Sequence, residues 1–297
     1  MSNPEFCCVI PTYNSSDTII RAIESVMNQT YPVKEIIVVD DCSNDYVELS
    51  ALLDSYSNIV RLIRHDKNMY GGAARNTGIR NATTSWIAFL DSDDMWIETK
   101  IEDIVSAMRD NYDLYNVYYS QLYKGRIDGK YSILPRRGMT PSEHISEYLF
   151  FFGGLMQTST LVCSKKLLGE IYFNPLLKRH QDYDLCLRMY DRVNFIFIKK
   201  PLSFWIQSGK DVLRKGASSD FSRQWLDDYE KYFTNKGYIG FKVNVLAPLY
   251  IKELRFHPVY SIFKEAFKQR EYVVLSRSLF KIFKSLIKGV LLKWKKN

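Results

Sequence analysis

Hydrophobic positions in the first third of the chain switch repeatedly between two periods. Residues 6–11 form a short apolar run, and within 16–27 the positions Ile19, Ile20, Ile23 and Val26 make one helical stripe with Ser15 or Ser16 as its N-cap. The alternation continues with a buried-strand run over 35–40, a helix over 45–56 and a strand over 60–64. A helix of small residues over 72–81, a strand over 86–90 and a helix over 98–109 follow. Strands alternating with helices predict an α/β class with a parallel sheet covered on both faces. In such sheets ligands bind beyond the carboxyl ends of the strands. Further on, 114–122 and 130–134 predict strands, 141–152 a helix, 158–163 a strand, 182–190 a helix and 194–198 a strand. The polar stretch 210–219 reads as a mobile loop, and the pattern is helical from Phe221 onward.

The polar residues punctuate this pattern at strand ends. Thr12-Tyr13-Asn14 follows the first strand, Asp40-Asp41 closes the second, and Asp91-Ser92-Asp93-Asp94 follows the strand over 86–90. Three strand ends thus converge on one carboxylate-rich rim. An Asp-x-Asp there presents hard oxygen ligands suited to Mg²⁺ or Mn²⁺, ions bound through one or two carboxylates plus substrate phosphates. Asp93 or Asp94 serves equally as an N-cap of the helix that follows. Asp40 and Asp41, with Ser43, suit a base N–H or a ribose hydroxyl, or alternatively cap a turn. Neither a Gly-x-Gly-x-x-Gly nor a Walker lysine loop is present, so a nucleotide needs another anchor. In Asn68-x-x-Gly71-Gly72-Ala73-Ala74-Arg75-Asn76, small residues permit close approach of a backbone or ligand. Arg75 suits a phosphate, or a surface position beside tight helix–sheet packing. His180-Gln181-Asp182-Tyr183-Asp184 stands at a helix start, where a carboxylate acts as a general base for an acceptor hydroxyl or as a cap.

Composition narrows the class without naming a chemistry. The 297 residues are 46% hydrophobic and 25% charged, which excludes wholesale disorder and fibrous repeats. No run of ~18 apolar residues is present, and Met1 to Glu5 lack a basic n-region with an apolar h-region; neither a spanning helix nor a secretory leader is expected. Cys7, Cys8, Cys42, Cys163 and Cys186 are odd in number with no Cys-x-x-Cys pair, so free thiols in a reducing compartment are expected. Charge is uneven. From Gly240 onward there are 13 basic and 3 acidic residues, against 28 and 30 before it. Arg277, Lys281, Lys284, Lys288 and Lys295 share one helical sector opposite Leu279, Phe283, Leu286 and Val290. That is the pattern of a helix lying on an anionic membrane surface, or of a surface helix packed on the body with a solvated basic face. Nucleic acid is not expected as a partner, because the acidic rim repels phosphate unless a metal is bound.

Taken in order, Val9-Ile10-Pro11-Thr12-Tyr13-Asn14, residues 36–41, residues 71–78, Phe89-Leu90-Asp91-Ser92-Asp93-Asp94 and His180-Gln181-Asp182 resemble the family 2 glycosyltransferases of the GT-A fold over about residues 5–210. The resemblance implies a GT-A (nucleotide-diphospho-sugar transferase) fold with a Rossmann-like mixed sheet. Residues 1–220 would be catalytic, with a nucleotide-binding half over 1–110 and an acceptor half over 111–220. Residues 221–297 would form a helical, basic C-terminal extension. It further implies that Pro11, Tyr13 and Asp40 or Asp41 hold base and ribose, and that Arg75 lies near base or diphosphate. Asp91 would touch ribose, Asp93 would ligate Mn²⁺ or Mg²⁺, and Asp182 would be the base of an inverting transfer. The implied substrates are a UDP-sugar donating a hexose, glucose or galactose, and a polyprenyl-diphosphate-linked acceptor such as GlcNAc-diphospho-undecaprenol. The implied setting is O-antigen, lipopolysaccharide or capsule assembly at the cytoplasmic face of the bacterial inner membrane, as a peripheral protein. A soluble or protein acceptor, or a non-catalytic binding subunit, is the alternative. Two departures stand out. Gln181 occupies the position of the family's usual acid, and Trp205-Ile206-Gln207-Ser208 lacks the histidine that many members carry, so Arg214 or Lys215 is left to meet the diphosphate.

Overall fold

The structure, a computed structural model, describes residues 3–126, 129–207 and 218–276. The tail helix expected around Arg277–Lys295, the loop residues Arg214 and Lys215, and most of the stretch 210–219 lie outside the described residues.

The alternating pattern yields β1 (Phe6–Thr12), α1 (Ile19–Met27), β2 (Glu35–Asp40), α2 (Tyr46–Asp54), β3 (Val60–Arg64), α3 (Tyr70–Asn81), β4 (Trp86–Phe89), β5 (Met95–Trp96) and α4 (Lys100–Asp110). Next come β6 (Asn116–Gly125), β7 (Tyr131–Leu134), β8 (Val162–Ser164), α5 (Lys165–Glu170), α6 (Gln181–Met189) and β9 (Asn194–Ile206). The sheet order is β3-β2-β1-β4-β8-β6-β9-β5, with β7 paired to β6. The first four strands are parallel. Beyond β4 the sheet becomes mixed: β8 runs antiparallel to both β4 and β6, while β9 is parallel to β6. The parallel part is the one the N-terminal alternation predicts, and the whole is the mixed sheet that the resemblance implies.

Both faces of β1 are dry, which is why it reads as an unbroken apolar run. Phe6, Cys8 and Ile10 join the stripes of α1 and α4 and the leucines of α2 in one core. Val9 faces the other way, onto α3. Gly78 makes that approach possible, since a Cβ there would sit 2.3 Å from Val9 Cγ1. Gly78→Ala is expected to destabilise the fold by about 1–3 kcal/mol, read as a lowered urea midpoint at unchanged m-value.

The structure corrects several local expectations. Neither Ser15 nor Ser16 caps α1; its N-cap is Thr18, which makes no side-chain cap bond. Neither Asp93 nor Asp94 caps a helix, because β5 intervenes and α4 starts after Thr99. Residues 158–160 form a 3₁₀ turn, and β8 begins only at Val162.

The described residues divide into two compact units. One comprises those of Met1–Met139 and Leu155–Val212; the other comprises those of Thr140–Gly154 and Leu213–Asn297. Residues 140–154, expected with the acceptor half, pack in the second unit. In place of the expected helix they carry a π-helical turn, Glu147–Phe151. The second unit also contains α7 (Ser219–Asp228), α8 (Asn235–Phe241), α9 (Ala247–Lys252) and α10 (Phe256–Lys268). Thr234 N–H donates to Ser146 Oγ at 3.2 Å, and Phe150 stacks on Phe233 at 5.3 Å. Gly240 permits this docking, as a Cβ there would meet the Phe150 backbone at 2.7 Å. Among the described residues no helix is long and apolar enough to cross a membrane.

Candidate active site

The chain runs outward through β1, β2 and β3, then returns to lay β4 beside β1. That reversal makes the carboxyl ends of β1 and β4 a topological switch point, the place where open α/β sheets take their ligands. Pro11, half-buried, and Tyr13, 48% exposed, stand on the β1 side. Asp91 and Asp93 stand on the β4 side. Ser92 Oγ and Ser15 Oγ bridge the two at 3.0 Å, and Arg21 donates to the Asp93 carbonyl at 2.9 Å.

A buried polar knot sits behind this rim. Arg75, 7% exposed, donates to Asp91 Oδ1 at 2.5 Å and to Gln181 Oε1 at 2.6 Å. Its burial removes the surface-arginine reading. Its Nε is buried without a hydrogen-bond partner, as is Thr12 Oγ1 at the end of β1. Gln157 Nε2 donates to Asp91 Oδ2 at 3.1 Å and to Asp94 Oδ2 at 3.0 Å. Ser159 Oγ donates to Asp94 Oδ2 at 2.7 Å, and the Ile206 N–H donates to Asp94 Oδ1 at 3.1 Å. Burial first, then the charges of Asp91 and Asp93, pushes the Asp94 carboxyl well above the usual range. Asp94 thus ties the acidic loop to the 157–159 turn and the end of β9.

Asp182 lies in the first turn of α6, joined to the knot through its neighbour Gln181. The residue before both, His180, takes the left-handed backbone at φ 64° and stacks on Tyr183. Burial keeps His180 neutral by lowering it to about 3. The Tyr183 N–H donates to Asp182 Oδ1 at 2.9 Å. Burial raises the Asp182 carboxyl from 3.8 to about 6; the Arg75 charge opposes this rise and the Asp91 charge adds to it. A carboxyl in that range is matched to proton abstraction near neutral pH.

The pair closing β2 divides its roles. Asp40 is fully buried, takes the Ser43 N–H at 3.3 Å and lies 3.5 Å from Arg64 Nε. Asp41 Oδ1 pairs with His65 Nδ1 at 2.8 Å and accepts the Met69 N–H at 2.8 Å; His65 Nε2 meets Thr77 Oγ1 at 2.9 Å.

Gln157, Ser159 and His65 were not among the residues expected from sequence. His65 directly follows β3, so the strand-end rule that flagged Asp40 and Asp91 reaches it too. Ser159 lies in the segment 158–163 whose pattern predicts a strand, and Gln157 directly precedes it.

A cation has few protein donors here. Among the described residues no three His, Cys, Asp or Glu side chains group closely enough to enclose a metal ion. Each Asp91 oxygen already accepts one hydrogen bond, from Arg75 and from Gln157, which leaves it less suited to a cation. The donor set reduces to Asp93 plus oxygens brought by a ligand, which fits the way Mg²⁺ is held at nucleotide sites.

Comparison with known proteins follows the same lines. The family model for glycosyl transferase family 2 matches residues 7–159. The amylovoran biosynthesis glycosyltransferase AmsB of Erwinia amylovora is 32% identical over 259 residues, covering 84% of this chain and 86% of that protein. An Escherichia coli protein, UDP-Glc:alpha-D-GlcNAc-diphosphoundecaprenol beta-1,3-glucosyltransferase WfgD, is 37% identical over 182 residues, covering 60% of this chain and 67% of its own. Among solved structures, S. aureus TarS 1-349 in complex with UDP-GlcNAc superposes with a TM-score of 0.59 at 16% identity, over 89% of this chain and 92% of that one. Against a longer TarS chain the match spans 43% of its length.

Proposed function

We propose that this chain, which belongs to glycosyl transferase family 2, transfers a hexose from a UDP-sugar to a sugar carried on a polyprenyl diphosphate, with inversion at the anomeric carbon. It is a bacterial polysaccharide glycosyltransferase of GT-A fold. The observation that carries the finer reading is the link from Asp182 through Gln181 to Arg75 and Asp91, which joins a tuned base to a buried cation. The substrates in the name of the Escherichia coli relative favour glucose as the hexose and GlcNAc-diphospho-undecaprenol as the acceptor.

In this reading Tyr13 lies along the base with Pro11, and Asp41 accepts a base N–H. Asp40, fully buried, braces the turn beneath. Asp91, held by two donors, accepts a ribose hydroxyl. The unpartnered Arg75 Nε meets a diphosphate oxygen. Asp182 takes the proton of the acceptor hydroxyl as its oxygen attacks C1. The C1–O bond to the diphosphate breaks on the opposite face, and its electron pair leaves with UDP. Asp93 would hold Mn²⁺ or Mg²⁺, which would supply positive charge against the departing diphosphate. One base suffices, since the diphosphate leaves without protonation by a general acid, whereas glycosidases pair two carboxyls. The setting is the cytoplasmic membrane surface, where a lipid-linked acceptor resides.

Only ionised Asp182 accepts a proton, so kcat/KM is expected to fall about tenfold per pH unit below about pH 6. A flat acid limb down to pH 4.5 would remove Asp182 as base. Asp93→Ala is expected to abolish the Mn²⁺ dependence of UDP affinity in calorimetric titrations while the fold is kept; unchanged coupling would remove Asp93 as ligand. The function itself is tested by UDP release from a panel of UDP-, GDP- and dTDP-sugars with and without a GlcNAc-diphospho-lipid analogue. Acceptor-stimulated release from a UDP-hexose alone is expected. Tight UDP binding with no turnover on any acceptor would favour a binding subunit.

A further inference from the structure

Helix α10 carries two apolar faces, and among the described residues only one of them is buried. Val259, Ile262 and Ala266 are buried in the second unit. Phe256, Tyr260 and Phe267 are 62%, 64% and 63% exposed. At 100° per residue these three aromatics fall within about 40° of one another, and Lys264 and Lys268 fill the adjoining sector. The one acid of the helix, Glu265, lies outside both sectors and is paired with Lys242 at 2.8 Å. Lys264 Nζ lies 5.9 Å from the Tyr260 ring centroid. The exposed stripe continues past the helix, where Tyr272, 51% exposed, packs edge-on against Phe267. An exposed contiguous aromatic strip marks an interaction surface. A basic strip immediately beside it selects an anionic occupant. A second copy of this face would set lysine against lysine. Aromatic rings at headgroup depth, with lysines reaching anionic lipid, satisfy both strips together.

We infer that the Phe256–Tyr260–Phe267 face of α10, with Lys264 and Lys268, is a docking surface for anionic lipid. The inference deepens the membrane-surface setting proposed above and rests on it. It places the contact on a described helix rather than solely on the basic stretch after Arg277.

The test is co-sedimentation of the full chain with vesicles of phosphatidylethanolamine and phosphatidylglycerol, against vesicles of phosphatidylcholine alone. Because the substituted side chains are exposed, F256S/Y260S/F267S and K264E/K268E are expected to keep the wild-type melting temperature. Each is expected to lower partitioning onto anionic vesicles by at least about tenfold. Wild-type partitioning in both variants, with loss in K281E/K284E/K288E, would overturn the assignment to α10 and leave the membrane setting standing. Failure of the wild-type chain to bind anionic vesicles would overturn both. A change confined to self-association, with vesicle binding intact, would overturn the lipid assignment.

Discussion

Asp182→Asn is expected to lower acceptor-dependent turnover by about 10²–10⁴-fold, the range for removal of a general base. The amide keeps the size of the carboxylate, and its Oδ1 still accepts the Tyr183 N–H. What it loses is the ability to take a proton. Donor affinity is expected to stay within about twofold, because the proposed contacts to UDP come from Tyr13, Asp41, Arg75 and Asp91. Single-turnover kinetics with calorimetric UDP titration separates the two effects. Turnover within a factor of two of wild type would remove Asp182 from the chemistry.

Arg75→Met has the second large effect, and it acts on stability and pH dependence together. The Arg75 side chain is 8% exposed and Asp91 24%. Breaking a buried pair by removing one partner costs about 3–5 kcal/mol, and the partial exposure of Asp91 places this loss at the lower end. Gln181 Oε1 loses its donor as well. Arg75 opposes the rise of Asp182, so its removal lets the Asp182 carboxyl climb above about 6. The acid limb of the rate profile is therefore expected to move to higher pH. Arg75→Lys is expected to rescue little, since one ammonium does not reproduce the planar fork that serves Asp91 and Gln181 together. Urea unfolding and the pH profile of kcat/KM measure the two consequences. An unmoved acid limb in a folded Arg75→Met protein would break the proposed coupling.

The departure at Gln181 becomes intelligible from this geometry. An acid there would give Arg75 two anionic partners; the amide gives it one anion and one neutral acceptor. Gln181 also donates to the Leu177 carbonyl at 2.6 Å, a bond a carboxylate does not make.

How much of the molecule sequence reveals depends on how local each cause is. The strands β1, β2 and β4 carry their burial in unbroken apolar runs, and the residues just beyond them form the rim as the periodicity indicates. Arg75 was singled out by the small residues around it, but its burial follows from tertiary contacts with Asp91 and Gln181. The Gln157 and Ser159 turn was illegible because Thr158-Ser159-Thr160 fits a strand edge as well as a turn. Only the carboxylates of Asp91 and Asp94, more than 60 residues away, decide between them. Residues 140–154 pack in the second unit for a related reason: Gly237 and Gly240 create their docking site about 90 residues downstream.

The anomeric configuration of the product tests single displacement most directly. An α-linked UDP-hexose and a GlcNAc-diphospho-lipid analogue would be incubated with the protein, and the anomeric proton coupling of the new linkage read by NMR. A β-linked product is expected from attack by an acceptor oxygen deprotonated at Asp182. An α-linked product would contradict that mechanism and require a second nucleophile or front-face chemistry.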